Sequence, residues 1–449
     1  MRDFAERLGT SGMSDSAVQG KLALFSRCAT ALAALNEPCA ARDEPFAFFV
    51  PGRIEVLGKH TDYAGGRSLL CAMERGFTVL AQPRDDARVR ALDVLGRNTR
   101  ELSLDSSIGP APGDWATYLS TVVRRIARDF PSVRRGMDVV FASDLPAASG
   151  MSSSSALVIA MFLALEAVNR LAEDPVYRQV ITSPESLAEY LGAVENGRSF
   201  GPMAGGLGVG TLGGSQDQTA ILCCEAGTLS RYSFCPVRSE GGISFPRDRV
   251  FVLAYSGIAA EKTASARLRY NEASLAVSEI LGLWNGATSR SDPCLADAVT
   301  SAANAADEIR SLLVRCSSSA FTPQRLLDRF EQFVTETYDI IPRAADAFAR
   351  ADLAAVGEQV ARSQRGAERL LGNQIPETIT LTRLAHTLGA DAASAFGAGF
   401  GGSVWALVAA DRAKLFATDW LAAYQDECGA AAEHAEIIIT LPGPGAMRL

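Results

Sequence analysis

No CxxC pair, and no Cys/His spacing suited to zinc, occurs among the nine cysteines and three histidines of these 449 residues. That excludes a zinc finger or ribbon. The cysteines are odd in number and scattered, which fits reduced thiols in a cytoplasmic protein better than a disulfide framework. The adjacent pair Cys223–Cys224 reads as two small buried residues ending a strand. Positive charge is also in deficit: the net charge is −8, so no broad basic footprint for nucleic acid is available, although a local basic pocket remains open. Long apolar runs are missing as well. The longest, "ALVIAMFLALEAV" at 156–168, carries Glu166 and falls short of the roughly 20 residues that a bilayer span needs. It reads as a buried helix. The stretch "MRDFAERLGTSGMSDSAVQG" has no apolar segment of the secretory kind, so no leader is expected. No repeat with a period of tens of residues is apparent.

What is present describes a folded chain. Apolar residues make up 48% and charged residues 21%, both ordinary for a globular protein, and the length suggests two domains. Residues 19–36 have helical spacing. "FAFFVPG" and "RIEVLG" read as two strands, followed by strand material in "SLLCAMERGFTVLAQPR", "VRALDVLG" and "MDVVFASDLP". Residues 113–130 read as a helix with Asp114 as N-cap. Beyond about 250 the pattern turns to Ala-rich helical stretches near 260–283, 295–315 and 323–370, then to the strands "SVWALVAA" and "AEIIIT". The boundary is expected near 240, where "RSEGGISFPRD" collects glycine, proline and charge. It divides the chain into 1–240 and 241–449.

Three glycine-rich places and two acids carry chemical information. "PGRIEVLGKHTDYAGG", 51–66, comes close to a phosphate-binding P-loop but fails it twice. Five residues separate Gly52 from Gly58, and His60 stands where a hydroxyl should follow the lysine. "DLPAASGMSSSSALVIAMFLALEA", 144–167, sets Gly150 and four serines ahead of a helix. Free N–H groups and the helix dipole make a phosphate the natural guest there, with a ligand-free serine cap as the alternative that four serines in a row make weaker. "SAFGAGFGGSVWALV", 394–408, opens into a strand and not a helix, which excludes a dinucleotide fingerprint. Its glycines either approach a ligand or simply pack a tight turn. Glu195 and Asp217 are candidate acids, one to hold Mg²⁺ and one to orient an attacking hydroxyl; from spacing alone both also suit a solvated surface.

Together these stretches resemble the galactokinase branch of the GHMP small-molecule kinases. The family signature GRxNxxGEHTDYxGG is echoed by "GRIEVLGKHTDYAGG", PxxxGLSSSA by "PAASGMSSSSA", and GGGFGG by "GAGFGG". The order is the same, and the likeness runs from about residue 48 to the closing "LPGPGA". The resemblance implies a two-domain α/β (α+β) kinase fold with mixed, largely antiparallel sheets and the active site between the domains. It implies ATP and Mg²⁺, with phosphates at Gly150, Met151, Ser152, Ser153 and Ser154 and at Gly399 and Gly401, and with Ser154 and Glu195 as metal ligands. Asp217, in the family's GxxDQ motif, and Arg53 become the catalytic pair. Lys59, His60, Thr61, Asp62 and Tyr270, the last in "RLRYNEA", become sugar contacts. The expected partners are a sugar and ATP, acting on a monomer, with no nucleic acid and no membrane.

Two departures bear on the substrate. Lys59 replaces the family's Glu, exchanging an acceptor-only anion for a donor-only cation. Galactose is expected as substrate, phosphorylated at its C1 hydroxyl, and a uronic acid such as galacturonate is the alternative because a lysine pairs with a carboxylate. The stretch 196–216, "NGRSFGPMAGGLGVGTLGGSQ", is longer and richer in glycine than the family leads one to expect, and reads either as a lid or as a surface insertion. Two other readings remain, a GHMP kinase for another small molecule and a sugar and ATP sensor without turnover.

Overall fold

The computed structural model describes residues 1–35, 43–104, 115–146, 148–259, 264–318 and 320–449. Among them, strands β1 (Phe46–Leu57), β2 (Arg67–Pro83), β3 (Arg88–Asp93), β4 (Asn98–Ser103), β5 (Met137–Ser143), β6 (Thr228–Ser233) and β7 (Arg238–Ser244) form a first sheet. A second is built from β8 (Arg249–Tyr255), β9 (Ala392–Phe396), β10 (Ser403–Ala409) and β11 (Glu436–Thr440) in the order β11-β8-β10-β9. The chain then returns to the first sheet, where β12 (Pro442–Gly443) pairs with β2 and β13 (Met447–Arg448) with β1. The main path of the first sheet runs β13-β1-β2-β5-β3-β4, with β6 on β2 and β7 on β6. All these pairings are antiparallel except β3 with β5. The fold is mixed, with largely antiparallel sheets.

Strand β1 is buried on both faces, so its two-residue period sorts side chains between two cores. Ala47 and Phe49 join Phe25, Cys28 and Leu32 of the helix Asp15–Leu35, while Phe48 and Val50 join the central core. Truncating the fully buried Phe49 to Ala is expected to cost about 3–5 kcal/mol. A register shift lies between Pro51 and Arg53, where proline brings no ladder donor. Beyond it Ile54 and Val56 stay in the central core. Arg53 and Glu55 lie opposite Ala72 and Leu70, two residues that pack with Ala220 of the helix Gln216–Cys223. That alternation puts two charged side chains beneath the site.

The second sheet sorts its residues the same way. Val252 and Ala254 pack under the helices Pro376–Thr387 and Ala413–Cys428 with Trp420 and Tyr424, while Phe251, Leu253, Trp405 and Phe396 enter the central core. One core therefore joins both sheets. The helices Ala264–Thr288, Ala305–Arg315 and Pro323–Thr335 make a third cluster that takes in Tyr63 and Ala64 from the loop after β1.

Several local expectations change. "FAFFVPG" and "RIEVLG" are one continuous strand, because the irregularity at Pro51 bends the ladder without ending it. "RSEGGIS", expected to be connecting chain, is β7, an edge strand paired with β6. Cys223 ends a helix, not a strand. The long helical stretch expected over 323–370 is interrupted by a π turn at Glu336–Ile340 and again between Ala349 and Leu353. The helix Arg2–Thr10 was not anticipated. Asp114 lies outside the described residues; the helix there runs from Ala116 to Asp129 behind Trp115. The eight described cysteines are free thiols, and no helix among the described residues is long and apolar enough to cross a membrane.

Candidate functional site

The helix Ser153–Asn169 begins at a strained corner. Gly150 and Ser152 both have positive φ, 79° and 59°, a conformation that glycine adopts freely and serine rarely. No side chain caps the helix start, and the Ser152 hydroxyl is buried without a hydrogen-bond partner. N–H groups of the first turn and an orphaned hydroxyl together make a recess suited to an anion. Met151 points the other way, into the central core.

Arg53 reaches this corner from β1. Its Nη1 donates to the Gly150 carbonyl at 2.6 Å and its Nε to Asp217 Oδ1 at 2.8 Å. Asp217 sits in the first turn of the helix Gln216–Cys223, where the helix dipole favours a carboxylate. Ser155 Oγ donates to Glu195 Oε2 at 2.8 Å and lies 3.5 Å from Asp217 Oδ2, and Gln218 Nε2 donates to Glu195 at 2.7 Å. The hydroxyl on Glu195 is thus Ser155's, one residue beyond the Ser154 that the motif selects. The helix starts at Ser153, so each step turns a side chain by about 100°, and it is Ser155 that lines the pocket facing Glu195 and Asp217.

The loop after β1 closes the other side. His60 has φ 57°, and its ring Nδ1 lies 2.9 Å from Tyr63 Oη while Nε2 lies 3.1 Å from the Ala398 carbonyl. A carbonyl accepts, so Nε2 carries the proton and Tyr63 donates to Nδ1. Burial and the nearby Arg329 lower the His60 pKa to about 4, which leaves the ring neutral and tied to the glycine-rich loop. Arg329 in turn donates to the His60 carbonyl. Asp62 Oδ2 accepts from the Gln216 amide at 3.1 Å, and burial raises its pKa. Gly214 passes so close that a Cβ there would lie 2.3 Å from Asp62 Oδ2. Tyr270 stacks obliquely on His60, with ring centroids 5.0 Å apart.

One pocket gathers Arg53, His60, Asp62, Glu195, Asp217 and Tyr270. Ser155, Gln216, Thr211, Gly213, Gly214, Gly397 and Ala398 also line it. Lys59 does not: its Nζ is buried and donates to Ser363 Oγ at 3.1 Å and Ser394 Oγ at 2.8 Å. Thr61 turns its hydroxyl back to the Gly58 and Arg67 carbonyls. Gly399 and Gly401 are outside the lining too. They pack on the Asn373 carbonyl and on Ile258 and Ala259, where a Cβ would meet backbone oxygens at 2.3–3.0 Å. Ser153 and Ser154 are partly exposed and not in the lining. The stretch 196–216 is held in its middle, where Arg128 donates to the Gly205 carbonyl, and its last part is tied to its first residue, Asn196, whose Oδ1 accepts from Thr211 and Gly213. Its last part is pocket wall.

Sequence reasoning missed Glu55. It occupies the Asn position of the signature quoted above, so the signal was there, overshadowed by the Lys59 exchange four residues on. Its carboxylate lines the pocket, is 3% exposed, and accepts from Gln216 Nε2 at 2.6 Å.

Comparison with known proteins agrees with this arrangement along the chain. Residues 40–83 match the galactokinase galactose-binding signature, 117–223 the GHMP kinases N terminal domain and 344–426 the GHMP kinases C terminal. The chain belongs to the galactokinase branch of the GHMP kinases. It is an ATP-dependent phosphotransferase acting on a sugar hydroxyl. Among curated relatives, the galactokinase of Chloroflexus aggregans is 28% identical over 381 residues, 84% of this chain and 88% of the relative. That of Bacillus subtilis is 35% identical over 121 residues, 26% of this chain and 31% of its own. The fold is shared with Lactococcus lactis galactokinase complexed with galactose, at TM-score 0.73, 23% identity and coverage of 93% of this chain and 100% of that one. It is shared more loosely with L. major mevalonate kinase in complex with R-mevalonate, at TM-score 0.54, 14% identity and coverage of 90% and 99%.

Proposed function

We propose that the protein transfers the γ-phosphate of ATP to the C1 hydroxyl of galactose. The observation that carries this reading is the Arg53–Asp217 pair, 2.8 Å apart, set between the anion-ready start of the helix Ser153–Asn169 and the Asp62 loop. In that position Asp217 accepts a hydrogen bond from the attacking hydroxyl and takes or orients its proton. Arg53 fixes the carboxylate, and its positive charge stabilises the anionic phosphoryl group in flight. Ser152 and the first-turn N–H groups receive phosphate oxygens. Asp62 and Tyr270 contact sugar hydroxyls, and His60, neutral and locked between Tyr63 and Ala398, orients the loop.

Mg²⁺ fits the donor set. Glu195, the Ser155 hydroxyl and Asp217 offer oxygen atoms alone, the ligands of a hard cation, and among the described residues there is no cluster of three His, Cys, Asp or Glu to hold a metal without substrate. Glu195 and Ser155, with Ser154 beside it, would hold the ion, whose charge offsets that of the phosphates. On this reading residues 1–240 supply the sugar loop, the phosphate corner and Asp217, and residues 241–449 supply the Ala398 wall and the Lys59 partners.

A uronate pocket built on Lys59 is not favoured, because that ammonium is held by Ser363 and Ser394 outside the pocket. A sensor without turnover is not favoured either, since Arg53 and Asp217 are both in place. The test is ATP consumption with Mg²⁺ over galactose, galacturonate, glucuronate, N-acetylgalactosamine, arabinose and mevalonate. Turnover concentrated on galactose is expected; preference for a uronic acid, or no turnover at all, would overturn the reading.

A further inference from the structure

We propose that Glu55 is a positioning residue that works with its proton on, standing in for the signature's Asn, and that its ionisation weakens the Arg53–Asp217 pair and slows transfer. The inference rests on the kinase reading of this pocket and adds to it a control by pH.

Geometry comes first. Gln216 spans the floor of the pocket. Its Oε1 accepts from Ser68 Oγ at 2.5 Å, its Nε2 donates to Glu55 Oε2 at 2.6 Å, and its backbone N–H donates to Asp62. With Oε1 taken by Ser68, the amide has one orientation, and the residue that follows it is Asp217. Glu55 thus fixes the residue whose backbone N–H holds the Asp62 carboxylate and whose neighbour is Asp217, both of which line the pocket. The other Glu55 oxygen, Oε1, is buried with no hydrogen-bond partner. A carboxylate left with a single hydrogen bond in a buried site is far costlier than a neutral carboxylic acid there, and the acid combines an acceptor oxygen with a donor, as an Asn amide does with its carbonyl and NH2 group. The exchange of Asn for Glu is therefore conservative in one protonation state only.

The surrounding charges set where that state ends. Burial dominates and raises the Glu55 pKa to about 7, against the pull downward of Arg53 on the same strand, of Lys59 in the turn beyond it and of the bond from Gln216, with Asp217 on the facing helix adding to the rise. His60 is neutral over this range, and Asp62 and Glu195 are the other acids of the pocket wall. Because the pKa is raised, the acid form prevails below about 7 and the anion above it. The anion competes with Asp217 for Arg53 and adds negative charge where ATP must bind. Turnover therefore falls as pH rises through that value.

The experiment compares wild type with Glu55→Gln, which is neutral at every pH, and with Glu55→Asn, the signature residue, as a second variant should the first fold poorly. For each protein, kcat at about pH 6 is divided by kcat at about pH 8.5. A ratio of roughly tenfold or more is expected for wild type and a ratio near one for the variants. The protonated-carboxyl stretch in the infrared, followed against pH in the protein without substrate, is expected to titrate near neutrality in wild type and to lose that component in Glu55→Gln. An unchanged alkaline limb in the variants, or no such infrared component, overturns the proposal. The infrared readout needs no turnover, so failure of the galactose reading would not be mistaken for failure of this one.

Discussion

The short run from Glu55, near the end of β1, to Lys59, in the turn beyond it, breaks the family signature at both of its ends with a change of charge, and the structure treats them in opposite ways. At the far end, Lys59 is buried among hydroxyls: Ser363, which it bonds, donates in turn to Glu336 Oε1, and the same Glu336 oxygen accepts from the Gly58 amide. The new positive charge has an answering negative one, and the network is closed off from the pocket. At the near end, Glu55 keeps an unpartnered oxygen beneath the reacting groups. A charge change conspicuous in the motif can thus be absorbed by packing, and a quieter one can face the chemistry. What decides is the presence of a partner at the side chain's tip, which a motif does not record.

The largest expected effect belongs to the near end. Asp217→Asn keeps the shape but not the proton acceptor, and kcat should fall by about 10²–10⁴ with ATP affinity nearly kept; steady-state kinetics and nucleotide titration read both. Retained turnover would mean that the hydroxyl is oriented by another group. At the far end, Lys59→Met leaves Glu336 buried without its counter-charge, at a cost of about 2–4 kcal/mol, read as a lowered denaturation midpoint. Among molecules that remain folded, the preference for galactose over galacturonate should not move. A shift in that preference would put Lys59 in the pocket after all and dissolve the contrast. The smallest effect is that of Ser155→Ala, which removes one oxygen beside Glu195 and should raise the Mg²⁺ needed for half-maximal rate a few-fold. Ser154→Ala is the paired control, and if it alone shifted the titration, the motif alignment would be the better guide to the metal.

Much of the site is legible in the residues because its chemistry is local. Arg53, Asp62, Asp217 and the Gly150–Ser152 corner lie in stretches whose wording and order carry the family resemblance; the first three line one pocket, and Arg53 ties the corner to it. Ser155 was not legible, since the choice among four consecutive serines depends on where the helix begins, and that depends on a left-handed residue at Ser152. The resemblance implies phosphate contacts at Gly399 and Gly401, but their freedom serves close approach to Asn373 and Ile258, partners far away in sequence. In the fold, the period-2 strands were visible. β7 was hidden because two glycines and an exposed edge give no alternation.

The return of β12 and β13 to the first sheet makes the order of synthesis matter. Strand β2 finds β1, β5 and β6 early, but the segment opposite Ala72 and Met73, and the edge beside Phe48 and Phe49, wait for residues 442–448, which leave the ribosome after the entire second sheet. Until then the sheet that carries Arg53 and Glu55 has an open edge, and pairings between residues so far apart in sequence form slowly. A nascent chain stalled before residue 442 would hold all of its candidate site residues and neither of the strands that seal their scaffold, leaving quality control a way to tell the unfinished kinase from the finished one.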